Sequence, residues 1–334
     1  MKKFLSIALC LVCLLSFNFP VSAFSSDNNV LNGVELSLMR LTANISGKSD
    51  IEIADEILSI MGLKEEFIGN IPDSKKFEIV DSSSIRCEKE YCKIDSFGNE
   101  IMLTEEMFNN ELALINENSN RFNENLVLPM AEVPDNGLHI PGEDDYLIKN
   151  MYIYETRNAP SGTYGIIVTY EWKNYSTRWH GEDVIGIAGE GLSFALSSFS
   201  FWGQYSYTQH IGTTVDYGTE VVTADFYSLE DENDLLVKDN GITYQFNLRN
   251  NIHSLISPLY YNEASFMMIA SSRVIDWASP KTFNIFSSYF HQHVGLGSVG
   301  VSVNIKNASI SVSPKLCYTE CQIATREPID YYPK

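Results

Sequence analysis

Two histidines near the C-terminus are the residues whose types and spacing best suit metal chemistry. His291 and His293 lie two residues apart in an aromatic-rich segment, and residues i and i+2 of a β-strand share a face. Together with the carboxylate of Asp183, or with Glu182 or His180, they would supply the three protein ligands of a metal-dependent hydrolase. The alternative interpretation is a pair of exposed strand histidines.

A second group of candidates surrounds residues 178–183, the densest polar and aromatic cluster in the chain. Trp179 would offer a ring for stacking, while Glu182 or Asp183 would act as an acid, a base or a ligand. Tryptophan and tyrosine side chains in loops also suit carbohydrate or peptide recognition. The predicted ligand-binding residues are Trp172, Arg178, Trp179, His180, Glu182, Asp183 and Trp202. The competing interpretation makes the tryptophans core residues and leaves the charges on a solvated hairpin.

Sequence signatures of nucleophilic or nucleotide chemistry are missing. The chain contains no Gly-x-Ser-x-Gly elbow, Walker loop, dinucleotide fingerprint or His-Glu-x-x-His motif. The acidic runs 142–145 and 230–234 lack the spacing of an EF-hand. We therefore assign no catalytic residue and no cofactor, leave zinc and calcium open, and favour a protein without enzymatic activity.

The first 23 residues have the features of a secretory signal. Lys2 and Lys3 precede the apolar run 4–15, and small residues at 21–23 suit a signal peptidase. We predict cleavage before Phe24 and release of the mature protein outside the cell.

Four cysteines remain after that cleavage: Cys87, Cys92, Cys317 and Cys321. An even number of cysteines in a secreted protein favours disulfides. Local pairing, Cys87 with Cys92 and Cys317 with Cys321, is the preferred arrangement because each pair flanks turn-forming residues. Pairing between the two groups and a four-cysteine zinc site are the alternatives.

The chain is strongly acidic, with 43 Asp and Glu residues against 23 Lys and Arg residues and a formal net charge of −20. Such a surface repels phosphate backbones and anionic headgroups, which argues against a nucleic-acid partner. The partners left open are a protein or a glycan of a cell envelope, and a membrane is less favoured.

The N-terminal part has helical patterns. Ser49 and Glu52 have the spacing of a capping box before apolar residues at helical intervals, and Gly62 ends that helix. We also expect helices over 34–41, over 63–68 and after Thr104.

The rest of the chain is typical of antiparallel β-structure. All four Trp and 17 of the 18 Tyr lie after residue 145, and aromatic residues favour strands. About ten short strands separated by glycines predict an antiparallel β-sandwich or barrel. Among them, 191–199 and 201–210 are predicted as two strands and 299–313 as a hairpin with its turn at 306–307. In the N-terminal part, Gly98-Asn99 is expected to form the turn of a small hairpin. The predicted fold class is α+β, and the predicted divisions are 1–23 signal peptide, 24–125 helical N-terminal region, 126–145 linker and 146–334 antiparallel β domain.

Four short strings carry a resemblance to a group of known sequences: Gly62–Ile68, Thr169–Trp172, Asp183–Ile187 and Tyr289–His291. They resemble segments of uncharacterised secreted proteins from Gram-positive bacteria. The resemblance implies an extracellular compartment and no particular activity.

These observations favour a secreted, non-enzymatic binding or interaction protein. Two alternatives come from specific patterns. Segments 191–210 and 299–313 alternate small polar and apolar residues, as do the hairpins of pore-forming proteins, although any half-buried antiparallel strand alternates in this way. The metal-dependent hydrolase described above is the other alternative.

Overall fold

A computed structural model describes most of the β region and most of the helices before it. The described residues are 28–31, 47–95, 99–123, 145–157, 159–174, 182–211, 214–228, 235–238, 240–248, 259–292, 300–304, 309–313 and 318–333. The signal segment, the predicted helix over 34–41 and nearly all of the predicted linker lie outside them.

Four helices are described in the N-terminal part: α1 (Asp50–Ile60), α2 (Glu65–Ile68), α3 (Asp73–Val80) and α4 (Glu105–Asn123). The predicted capping box of α1 is confirmed, since the Glu52 amide donates to Ser49 Oγ and the Ser49 amide donates to Glu52 Oε2 at 2.6 Å. Gly62 follows α1 with a φ of 87°, a left-handed conformation that glycine adopts without steric cost. α3 was not predicted from the sequence.

Seventeen strands are described, and every pairing between them is antiparallel. Their bounds are β1 Asn28–Leu31, β2 Ser82–Ile94, β3 Glu100–Leu103, β4 Asp145–Thr156, β5 Thr163–Asn174, β6 Glu182–Gly189, β7 Leu192–Ile211, β8 Thr214–Asp225, β9 Leu235–Lys238, β10 Gly241–Asn247, β11 Leu259–Val274, β12 Lys281–Phe283, β13 Ile285–Gln292, β14 Gly300–Asn304, β15 Ser309–Ser313, β16 Tyr318–Ala324 and β17 Ile329–Tyr331.

Two sheets form a sandwich, as predicted. The large sheet has the order β1-β2-β4-β5-β11-β7-β8, with β3 paired to β2, and the small sheet has the order β16-β13-β6-β10-β9. Alternate residues of their strands, such as Ile166, Ile185 and Phe266, meet in the main core between the sheets. The fold is therefore mostly antiparallel β-structure with a few helices near the N-terminus.

Helices α1, α2 and α3 cover the outer face of the large sheet. Ile57, Phe67 and Ile79 share a second core with outward-facing sheet residues such as Ile167 and Trp202. The Phe67 and Trp202 rings meet edge to face, with their centroids 5.6 Å apart. The helical layer and the sheet consequently bury apolar surface against each other.

The hairpin predicted near the C-terminus is confirmed as β14 and β15. Val301 pairs with Val312, and Val303 pairs with Ile310. Ile310 and Val312 are buried with Val184 and Phe290, on the outer face of the small sheet. The predicted turn at residues 306–307 lies outside the described residues.

Two predictions about the strands differ from the structure: two predicted strands form one, and a long strand lies within the predicted helical region. Residues 191–199 and 201–210, predicted as two strands, belong to the single strand β7. β2, within the predicted helical region, pairs along its length with β4, and the small β2–β3 hairpin expected around Gly98-Asn99 is present. The division into domains stays a prediction, because 124–144 lie outside the described residues.

Within the part of the chain that the structure describes, no helix has the length and apolar character needed to cross a membrane.

Candidate functional site

A cleft of about 530 Å³ lies between helix α3 and the outer face of the large sheet. That volume is in the range typical of small-molecule sites. Six serine and threonine residues and two acidic residues line it: Ser74, Thr156, Thr163, Ser197, Ser198, Ser271, Glu78 and Asp81. Phe77 of α3, about half exposed, adds an aromatic ring.

An irregularity in β7 places two of these serines, Ser197 and Ser198, at the cleft. Ile269 of β11 pairs with Ser200, whereas Ser271 pairs with Ala195, so residues 196–199 form a bulge opposite one residue of β11. A bulge re-aims side chains locally. Ser198 Oγ accepts the Ser271 amide at 2.7 Å and donates to the Ala195 carbonyl, which holds the bulge in place.

Lys75 is the basic residue among those that line the cleft, beside the acidic Glu78 and Asp81. Its Nζ donates to both oxygens of Glu78, at 2.8 and 3.1 Å, and to Ser271 Oγ at 2.8 Å. Tyr154 donates from below to Glu78 Oε2 at 3.3 Å. Burial and the nearby Glu78 carboxylate raise the pKa of Tyr154 well above its usual value, so it stays a neutral donor.

Lys75 Nζ and Ser271 Oγ are close enough to act as a general base and a nucleophile. The residues around this pair nevertheless favour ligand binding over catalysis. Lys75 Nζ is held between Ser271 Oγ and both oxygens of the Glu78 carboxylate. Ser271 also lies within a strand and not on a strand-to-helix elbow. The cleft therefore presents fixed hydrogen-bond donors and acceptors to a ligand.

A second polar cluster lies at one end of the main core. His291 Nδ1 is 3.0 Å from Asp183 Oδ1, Tyr289 donates to Asp183 Oδ2, and the rings of Trp172 and His291 have centroids 6.2 Å apart. All four residues are buried. Neighbouring strands β6 and β13 bring Asp183, Tyr289 and His291 together, since Ile185 pairs with Tyr289, and Trp172 comes from β5 of the large sheet. Asp183 and His291, which the sequence suggested as metal ligands, are thus in contact with each other in the buried interior.

Two predicted stacking residues, Trp172 and Trp202, have no exposed ring face. Trp172 is 1% exposed and Trp202 is 4% exposed. Both lie on central strands of the large sheet. The Trp172 ring packs in the core between the sheets and the Trp202 ring packs in the core under the helices. Burial of such large apolar rings is energetically favourable. A ligand-stacking role for these two tryptophans is therefore wrong for this structure, and the core interpretation applies.

The remaining predicted site residues lie outside the described part. These are Arg178, Trp179, His180, His293 and the side chain of Glu182. Among the described residues, no three His, Cys, Asp or Glu side chains form a group that could hold a metal ion. The His291–His293–Asp183 metal site stays a prediction.

The predicted Cys87–Cys92 disulfide is wrong. Both cysteines lie on strand β2 and are free and buried. Five residues of strand separate their Cα atoms by about 16 Å, far beyond the reach of a disulfide, and they face different cores. Burial raises the pKa of Cys87 to about 12. Cys321 is also free and buried, whereas Cys317 lies outside the described residues.

The cleft residues were not identified from the sequence. Ser197 and Ser198 lie in segment 191–210, where their small polar side chains were interpreted as hairpin alternation. Lys75 and Ser271 are 196 residues apart, and no local spacing links them. A pair of adjacent serines such as Ser197 and Ser198 in an aromatic-rich strand is too common a pattern to indicate a site.

Comparisons with known proteins give distant likenesses only. No protein-family model matches the chain, and no curated protein matches it. Among solved structures, the collagen-binding subdomain of the Enterococcus faecalis surface protein ACE is 12% identical, with a TM-score of 0.22, and the match covers 50% of this chain and 90% of that one.

Two further structures show the same level of similarity. The collagen-binding domain of a Staphylococcus aureus adhesin is 15% identical, with a TM-score of 0.21 over 40% of this chain and 79% of that one. Clostridium perfringens delta-toxin is 6% identical, with a TM-score of 0.21 over 74% and 89%. At TM-scores this low the likenesses carry no conclusion about function.

Proposed function

We propose that this protein is a secreted, non-enzymatic binding protein that recognises a glycan of a cell envelope in the cleft between α3 and the large sheet. The observation that carries the proposal is a single cleft lined by six serine and threonine residues together with Lys75, Glu78 and Asp81. Secretion rests on the predicted signal peptide.

The chemistry of the cleft suits a hydroxyl-rich ligand. Serine and threonine hydroxyls both donate and accept hydrogen bonds, and so do sugar hydroxyls. Phe77 offers an aromatic ring beside them, and such a ring packs against the apolar C–H face of a sugar. The Lys75–Glu78–Ser271 network orders the donors in advance, which lowers the entropic cost of binding.

A glycan microarray with the mature protein, followed by calorimetric titration of the best oligosaccharide, tests this proposal. Ser197→Tyr fills the cleft from an exposed position and should weaken the affinity at least about tenfold, or by roughly 1.4 kcal/mol. Thr223→Tyr is the matched control, since Thr223 is exposed on the edge strand β8 and does not line the cleft.

Two outcomes would overturn the proposal. One is a mature, folded protein that binds no oligosaccharide on the array. The other is a dissociation constant that Ser197→Tyr and Thr223→Tyr leave equally unchanged, which would place the glycan elsewhere on the surface.

A further inference from the structure

Arg273 lies directly beside the cleft. It is on the same face of β11 as Ser271, two residues away, and its register partner in β5 is Thr163. Same-face neighbours on a strand lie about 7 Å apart. Both Ser271 and Thr163 line the cleft, so Arg273 extends the row of cleft residues along the sheet.

The guanidinium of Arg273 has no acidic partner among the described residues. Its Nε is buried and has no hydrogen-bond partner there, and no ion pair joins it to a described carboxylate. The neighbouring acid in the next turn, Asp276, pairs with Lys281 at 3.4 Å.

Trp277 fixes the position of Arg273 from the other side. The guanidinium carbon lies 5.4 Å from the centroid of the Trp277 ring, a cation–π contact. The Trp277 carbonyl accepts a hydrogen bond from the buried Tyr331 at 2.8 Å, and Tyr331 Oη is also 2.8 Å from Ser161 Oγ. The turn that carries this half-exposed tryptophan is therefore anchored to the body of the protein.

We infer that Arg273 and Trp277 form a subsite for the carboxylate of an acidic sugar, next to the cleft that holds the neighbouring sugar unit. This inference rests on the proposed function, and it specifies the ligand class as an oligosaccharide containing uronic or sialic acid. Arginine presents planar, paired donors that match a carboxylate, and the Trp277 ring supplies a stacking surface for the sugar that bears it.

The test compares acidic oligosaccharides with the same molecules after their carboxylates have been reduced to primary alcohols. The probes are a tetrasaccharide of glucuronic acid and N-acetylglucosamine and a sialylated trisaccharide, titrated calorimetrically into the mature protein. We expect the wild type to bind at least one acidic form about tenfold or more tightly than its reduced form, and added salt to weaken that preference.

Variants of Arg273 test whether this residue causes the preference for acidic over reduced oligosaccharides. Arg273→Gln should abolish the difference between acidic and reduced forms while leaving the affinity for the reduced form unchanged, and Arg273→Lys should restore part of it. Arg326→Gln is the matched control, because it changes the net charge equally at an exposed arginine that contacts the Lys89 carbonyl. Circular dichroism confirms that each variant is folded.

Three results would overturn the inference, and they separate it from the proposed function. Equal binding of acidic and reduced probes would remove the carboxylate subsite and leave glycan binding intact. A preference that Arg273→Gln and Arg326→Gln reduce equally would be a general charge effect. Binding of neither form would overturn the inference, and the array would then decide the proposed function by itself.

Discussion

At the scale of single residues, burial decides what a polar side chain can do. Tyr289 and His291 are buried and each hydrogen-bonds to the buried Asp183. These hydrogen bonds offset the cost of removing the polar groups from water. Lys75 and Ser271 make an equally close contact at the wall of a cleft. The first group therefore stabilises the core, while the second can meet a ligand.

We predict that His291→Ala destabilises the protein by about 3 kcal/mol, because it leaves the buried Asp183 carboxylate without one of its partners. Chemical denaturation in urea measures this change. Asp183→Asn in the same chain should recover part of the loss, as expected for two groups that interact directly.

The exposed substitution Thr223→Ala is the control for that measurement and should change stability by less than about 0.5 kcal/mol. A stable His291→Ala protein that has lost a tightly bound zinc ion, measured by mass spectrometry of the metal content, would contradict this prediction. That result would favour the metal-dependent hydrolase.

At the scale of elements, two local devices shape the helical side of the molecule. The capping box of Ser49 and Glu52 starts α1, and the four-residue bulge in β7 presents Ser197 and Ser198 to the cleft. The Ser49 main-chain amide and hydroxyl lower the pKa of Glu52 from its usual 4.5. Its ionised form is therefore favoured in the folded protein.

Ser49→Ala should cost about 1 kcal/mol of stability, as the loss of an N-cap usually does. Glu52→Gln should lower stability at neutral pH only. Because the folded-state pKa is depressed, the contribution of Glu52 is present above 4.5 and is lost as the pH falls through that value towards the lower folded pKa. Thermal unfolding at pH 7 and at about pH 3 measures the difference.

Glu56→Gln serves as the comparison, since Glu56 is exposed in the same helix and makes only a surface ion pair with Lys48. If the wild type were more stable than Glu52→Gln by the same amount at both pH values, the ionised carboxylate would have no role in the cap, and this prediction would be contradicted.

At the scale of the whole molecule, a single strand contributes side chains to two different cores. β7 contributes Phe199, Phe201 and Tyr205 to the core between the sheets and Trp202 to the core under the helices. The hairpin of β14 and β15 buries Ile310 and Val312 on the small sheet. Segments 191–210 and 299–313, which alternate like pore-forming hairpins, therefore bury apolar side chains in the folded protein. A hairpin that inserts into a membrane would have to expose those side chains first.

We predict that the mature protein releases no dye from neutral or cholesterol-containing liposomes and does not sediment with them. Detachment of β7 would expose its large core side chains, each worth about 1.5–3 kcal/mol of burial. Release of dye together with a detergent-resistant oligomer would contradict this prediction and favour the pore-forming alternative.

The sequence by itself determined the features that depend on neighbouring residues. The capping box at Ser49, the β14–β15 hairpin and the antiparallel class all follow from local periodicity and hydrogen bonding, which a short window contains. It also named Asp183 and His291 together, as candidate ligands of a metal site, because carboxylate and imidazole side chains are common metal ligands.

Only the tertiary structure decided which of these residues are accessible and which distant residues share a site. Cys87 and Cys92 are close in sequence, yet an extended strand separates them and turns them towards different cores. Lys75 and Ser271 are far apart in sequence, yet the packing of α3 on β11 joins them. Contacts of this kind depend on the packing of whole layers, which no local pattern specifies.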